Sequence, residues 1–135
     1  DIQGALWTKL IVNAAINPLT ALSGLYNGEL LEDIDILEMM EQIVNEAMQV
    51  CAREKVSLQS EDMVSHVKSI CQVTAGNKSS MLMDILNERR TEIDAINGMI
   101  VQKAKEHCLA APVNETITRL VRVIERNESN RLQKK

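Results

Sequence analysis

The sequence predicts an all-α protein of a single domain, and three observations carry that expectation. Apolar residues recur at helical spacing along the chain, with no convincing run of the period-two alternation of a half-buried strand. Phe is absent and there is one Trp and one Tyr, so the core must be built from Leu, Ile, Val, Met and Ala. Those aliphatic residues suit packed helices better than sheets. Finally, 135 residues with 45% hydrophobic and 25% charged side chains match one soluble domain over residues 1–135.

The elements follow in order. An apolar helix is expected over residues 5–16. Pro18 biases Asn17 away from helical dihedrals and predicts a break or kink there, before a short turn of helix through Leu22. Asn27-Gly28 reads as a turn. Residues 34–54 form a long amphipathic helix that buries Ile36, Met39, Met40, Ile43, Val44, Ala47 and Val50 and turns Glu38, Glu41 and Glu46 outward. Ser60 is the expected N-cap of the next helix, with Gly76 ending it in a left-handed turn. Ser79 or Ser80 opens a short helix reaching towards Arg90. Thr91 caps a helix through His107, with Ile93, Ile96, Ile100 and Val101 inside. The last helix starts near Asn114, just after Pro112, and points Ile117, Leu120, Val121 and Ile124 inward. Beyond Glu128 its polar end is expected to fray.

Composition excludes several function classes. A net charge of −4 gives no general attraction for nucleic acid, and two aromatic residues cannot build base-stacking platforms. No apolar run approaches the ~20 residues of a membrane span. Cys51, Cys71 and Cys108 are odd in number and widely spaced, so buried free thiols in a reducing compartment, the cytoplasm, are expected. His66 and His107 have no metal-ligand spacing, and no metal site is expected. The five glycines form neither a G-x-G-x-x-G nor a P-loop. Asp1 opens the chain without an initiator Met or a basic leader, which suggests an excised piece of a longer protein.

What remains is a polar stripe. Lys9, Asn13 and Asn17 span about 80° of a helix that is otherwise apolar. One reading is a solvent-facing strip. The other is the wall of a cleft, where a lysine donates a proton and two carboxamides fix an oxygen-rich substrate. Ser79 and Ser80 at a helix start are N-cap residues, but the same geometry is a seat for a carboxylate. Glu92 and Asp94 favour the first turn of their helix, and Glu92 is also a candidate counter-ion for Lys9. Arg119, Arg122 and Arg126 share one face, where Glu115 can pair with Arg119.

Taken in order, Lys9 to Ala21 ("K…N…NPLTA"), "NGEL" from Asn27, "NKSSM..D" from Asn77, "TEIDAING" from Thr91 and "APVNETI" from Ala111 resemble the C-terminal domain of the ketopantoate reductase (2-dehydropantoate 2-reductase) family. The resemblance runs from residue 5 to about 127. It implies a helical domain of the 6-phosphogluconate dehydrogenase C-terminal-like kind, joined in the family to an N-terminal Rossmann domain that binds NADPH. It also implies reduction of 2-dehydropantoate to pantoate, towards pantothenate and coenzyme A. On this resemblance Lys9 is the catalytic lysine and Glu92 the active-site glutamate, while Asn13, Asn17 and Ser80 hold substrate. Met83 and Lys78 depart from the family pattern, and Lys78 adds a charge beside the serines. A second copy of the chain is a further candidate partner. The competing readings are a non-catalytic helical interaction module and a reductase of another 2-oxo acid.

Overall fold

Polar side chains decide where the helices start. In the computed structural model, which describes the backbone of residues 1–133 and the side chains of residues 1–127, Asp1 opens α1 (Ile2–Ser23) by accepting from the Gln3 N–H. Asp33 accepts from Asp35 and Ile36 to open α2 (Ile34–Arg53). Asp62, rather than Ser60, caps α3 (Met63–Val73), taking the Ser65 N–H at 3.0 Å. Ser79 caps α4 (Ser80–Leu86). Helices α5 (Asn97–Glu106) and α6 (Pro112–Gln133) complete the set, with 3-10 turns at Asn27–Glu32 and Ile93–Ala95 and no strand among the described residues.

Helix α1 is the centre of the fold, packing against α2, α3, α4 and α6. The main core joins Trp7, Ile11, Ala14 and Ala15 of α1 to Met40, Ile43, Val44, Ala47 and Val50 of α2, with Val67, Ile100 and Ile117 from the other helices. A smaller cluster of Ala21, Met81, Ile85, Ile93, Ile96 and Val121 seats α4 and the Ile93–Ala95 turn against the end of α1.

Pro18 does not break α1, contrary to expectation: the helix runs through it to Ser23. A proline inside a helix removes one N–H and leaves the carbonyl four residues earlier without its partner. That carbonyl belongs to Ala14, and the Asn97 carboxamide donates to it at 3.0 Å. The second Asn97 N–H goes to Asn114 Oδ1 at 3.0 Å. Asn114 in turn donates to the Ile43 carbonyl and to Glu46. Both asparagines are 0% exposed. Glu46 therefore belongs to the interior edge of α2 and not to its acidic outer face; its carboxylate takes the Val113 and Asn114 N–H groups and caps α6 from outside that helix.

Other expectations give way for equally local reasons. Gly24, not Gly76, is the left-handed glycine, at φ 79°, and it ends α1; Lys55, Glu88 and Cys108 also have left-handed φ, at 58°, 57° and 58°. Asn27-Gly28 is not a turn but the start of a 3-10 helix, held by Asn27 N–H to the Asn77 carbonyl and Gly28 N–H to that of Ala75. The helix expected from Thr91 is split at Ile96 (φ −111°, ψ −90°), and α5 then starts at Asn97, whose side chain reaches inward to the Ala14 carbonyl. Leu120 is 48% exposed along an open apolar groove, and Val101 and Ile124 are half-buried. Helix α6 is still helical at Gln133, past the point where fraying is expected, and Lys134 and Lys135 lie outside the described residues.

Cys51 and Cys71 are buried, and burial pushes their thiols up to about 11, so they stay protonated. Cys108 is exposed, against expectation. No described helix is long and apolar enough to cross a membrane.

Replacing Asn97 with Ala should cost about 2–4 kcal/mol, since two buried acceptors lose their donor. Adding Pro18→Ala should recover part of that loss, because residue 18 regains an N–H for the Ala14 carbonyl. Chemical denaturation of the double-mutant cycle measures the coupling, and strictly additive losses would disprove this link. A second expectation concerns acid. Glu54 at the end of α2 binds His107 and Lys103 at the end of α5, and the His107 hydrogen bond, aided by Lys103, holds its carboxyl below the usual 4.5. The unfolded chain then takes up the proton first, so this stabilisation is complete above 4.5 and disappears as pH falls through the lowered native value. Melting temperatures from pH 7 to 3 should fall less steeply in Glu54→Gln than in the unmodified chain.

Candidate active site

The site is assembled where the end of α1 meets the start of α4. Ser79 Oγ accepts from the Leu82 N–H and lies 2.5 Å from Thr20 Oγ1, while Thr20 donates to the Asn17 carbonyl. With the Thr20 proton committed to Asn17, the Ser79 hydroxyl is the donor between the two. This chain of hydroxyls locks α4 to α1 and leaves Ser80 exposed beside Asn17, whose Nδ2 reaches Ser80 Oγ at 3.5 Å. The Asn27–Asn77 and Gly28–Ala75 backbone bonds brace the same loop from below. A side chain at Gly28 would put its Cβ 2.5 Å from that of Ala75, so only glycine permits this approach.

The far wall is the segment after α4. Thr91 is buried, accepts from the Ile93 N–H, and bonds Glu125 of α6 through its hydroxyl. With Thr91 facing in, its neighbours Arg90 and Glu92 face out. The cleft between these walls is about 390 Å³ and is lined by Asn17, Ser80, Met81, Asp84, Arg90 and Glu92.

Three of the five residues singled out in the sequence, Asn17, Ser80 and Glu92, thus share one cleft. Lys9 and Asn13 do not line it. They continue its α1 wall towards the N-terminus, Lys9 exposed and Asn13 half-buried, with Lys9 about 12 Å from Asn17 along the axis. No ion pair joins Lys9 to Glu92, and neither has an ion-pair partner among the described residues. By contrast Arg89 pairs with Asp84, Arg119 with Glu115 as the spacing suggested, and Arg122 with Asp94. Lys78 lies outside the cleft, 5.8 Å from the Tyr26 ring centroid, and Met83 does not line it either. Helix α4 has seven residues and its start is closed by Ser79, so it offers no separate carboxylate seat.

Arg90 was not singled out from the sequence, and Asp84 entered only as the last residue of the "NKSSM..D" motif, with no role given to it. The signal available for Arg90 was its position two residues before Glu92, which shares a side once the segment is extended. A larger groove of about 510 Å³ between α1, α2 and α6 has Ser23 and Thr116 as its polar lining and carries no acid or base. Among the described residues no group of three or more His, Cys, Asp or Glu could hold a metal ion.

The cleft argues for a small polar ligand, and a stability test separates its frame from its chemistry. Ser79→Ala removes both the α4 cap and the bond to Thr20 and should cost about 1–2 kcal/mol in denaturant unfolding. Ser80→Ala, at an exposed position, should stay within about 0.5 kcal/mol.

Comparison with known proteins places this geometry in a family. The sequence model for "Ketopantoate reductase PanE/ApbA C terminal" matches residues 1–125. A 2-dehydropantoate 2-reductase of Archaeoglobus fulgidus is 40% identical over 125 residues, covering 93% of this chain and 42% of that protein. One from Escherichia coli O157:H7 is 43% identical over 129 residues, covering 96% of this chain and 41% of the relative. The crystal structure of a PanE/ApbA family ketopantoate reductase from Ralstonia eutropha JMP134 matches with a TM-score of 0.90 at 32% identity, over 96% of this chain and 43% of that one. A ternary structure of D-mandelate dehydrogenase with NADH and anilino(oxo)acetate gives 0.87 at 32% identity, over 93% and 53%. The chain spans about two-fifths of the length of these curated relatives.

Proposed function

Because the chain belongs to the ketopantoate reductase PanE/ApbA C-terminal family, we propose that it is the substrate-holding, proton-donating part of an NADPH-dependent reductase that converts 2-dehydropantoate to pantoate. The observation that carries this reading is the convergence of Asn17, Ser80 and Glu92 on one cleft, with the unpaired Lys9 further along the same helix.

Reducing a ketone places a hydride on carbon and a proton on oxygen. The reduced nicotinamide supplies the hydride, and the described residues of this chain offer it no strand and no glycine-rich phosphate loop. On the family resemblance, its site is an N-terminal Rossmann domain of the whole protein. The residues here do the rest. Lys9 protonates the carbonyl oxygen as negative charge develops on it, a role that suits an ammonium without a competing carboxylate. Asn13, Asn17 and Ser80 supply hydrogen bonds to the substrate's oxygens and fix its orientation. Glu92 accepts a hydrogen bond from the substrate hydroxyl and orients it.

The relatives named 2-dehydropantoate 2-reductase support this substrate. The likeness to D-mandelate dehydrogenase favours, as a second reading, another 2-oxo acid. A ketopantoate reductase from Staphylococcus aureus is described as dimeric, which supports a second copy as partner of the whole protein. We place the protein in the cytoplasm, a reducing compartment that suits its free thiols Cys51, Cys71 and Cys108.

The test is NADPH oxidation by the full-length protein with 2-dehydropantoate and a panel of 2-oxo acids. Lys9→Ala should lower kcat by about 10²-fold or more with no change in unfolding midpoint, because the side chain is exposed. Glu92→Ala should lower kcat/KM with the fold likewise intact. Robust turnover in Lys9→Ala would remove Lys9 as the proton donor, and a wild-type protein inactive on every acid would remove the reading as a whole.

A further inference from the structure

The cleft contains one cation that none of these roles uses. Arg90 lines it together with Asn17, Ser80 and Glu92, and its side chain is 84% exposed. Its ion pair, to Asp94 Oδ2, is long at 3.9 Å, and Arg122 already holds Asp94 Oδ1 at 2.7 Å. The guanidinium is thus uncommitted. Asp84 is not, since Arg89 Nε sits 3.2 Å from it and offsets that carboxylate. With Asp84 balanced, Glu92 would leave the cleft lining negative if Arg90 were absent, and a carboxylate ligand would be repelled.

Position matters as much as charge. Thr91 is pinned inward by Glu125, so Arg90 and Glu92 stand on the same side of the chain, about 6–7 Å apart. That separation lets a small molecule present one end to the guanidinium and the other to the Glu92 side of the cleft. A guanidinium also matches a carboxylate in shape, with two parallel N–H donors for two oxygens. Arg90 borders a second cavity of about 260 Å³ with Glu88, Glu125 and Arg126, so it stands on the ridge between the two.

We infer that Arg90 anchors the carboxylate of the substrate and makes the site selective for 2-oxo acids over uncharged ketones. This rests on the reductase reading above and adds to it a specificity residue and the charge class of the ligand.

The deciding experiment compares 2-dehydropantoate with its carboxamide, which keeps the ketone and hydroxyl but has no charge, on the full-length reductase. Arg90→Ala should raise KM for the acid by about tenfold or more while kcat stays within about threefold. The carboxamide, read as KM, or as Ki where it is not turned over, should change by less than about twofold. Arg90→Lys should restore part of the acid's affinity, since charge returns without the fork. An unchanged KM for the acid in Arg90→Ala would overturn the inference, as would equal losses for acid and carboxamide. Either result leaves the reductase reading standing. Absence of turnover by the wild type on all 2-oxo acids would overturn that reading and this inference with it.

Discussion

The Ala14 carbonyl, stripped of its helical partner by Pro18, is the point on which the rest of the structure depends. An unpaired buried carbonyl costs of the order of 1–3 kcal/mol, and Ala14 is 0% exposed in the middle of the fold. Asn97 answers it, Asn114 answers Asn97, and Glu46 gathers Asn114 together with the first N–H groups of α6. One polar chain thereby ties α1, α2, α5 and α6 at a common depth. Apolar packing alone would tolerate small slips between these helices; hydrogen bonds of 2.8–3.0 Å do not.

That registration is what gives the cleft its walls. Asn17 lies one residue before the proline, so the path of α1 through Pro18 sets where its carboxamide points. Asn97 begins α5 immediately after the turn that carries Glu92, so the residue that repairs α1 also fixes the opposite wall. Hydroxyl contacts complete the frame: Thr20 with Ser79 on one side, Thr91 with Glu125 on the other. Each pair places a buried serine or threonine next to an exposed site residue, Ser79 before Ser80 and Thr91 before Glu92. Rigid support and solvent-facing chemistry thus alternate along the chain.

The distribution of charge tells the same story in electrostatic terms. Along α5 and α6, all the basic side chains among the described residues but Arg126 are paired with acids: Lys103 with Glu54 and Glu106, Lys105 and Arg119 with Glu115, Arg122 with Asp94. On the cleft side, Lys9 and Glu92 have no such partner among the described residues, and Arg90 has only a long one. Exposed pairs contribute little to stability, so the contrast is not about folding. It reflects which charges are already satisfied and which remain available to a ligand.

The sequence by itself determined the helical class, most of the apolar face of α2, the inward Ile117 and Val121 of α6, the cysteine chemistry of Cys51 and Cys71, and which polar residues were out of place on a helix that wanted burial. These follow from periodicity and side-chain chemistry, which act over a few residues. It misjudged Pro18, Glu46, Gly24 and the start of α3, because each is settled by a partner or a backbone angle that local propensity does not encode. A proline reads as a break until a donor 79 residues away, Asn97, supplies the missing bond, and a glutamate reads as solvent-facing until another helix begins beside it. The site shows the same division. Lys9, Asn13 and Asn17 could be lined up from helical spacing, but the meeting of Asn17 with Ser80, Arg90 and Glu92 required α4 and the Thr91 segment to dock on α1. That docking was decided only in three dimensions, by buried hydroxyl bonds and the small apolar cluster beneath them, since no spacing along the chain sets the distance between helices packed side by side.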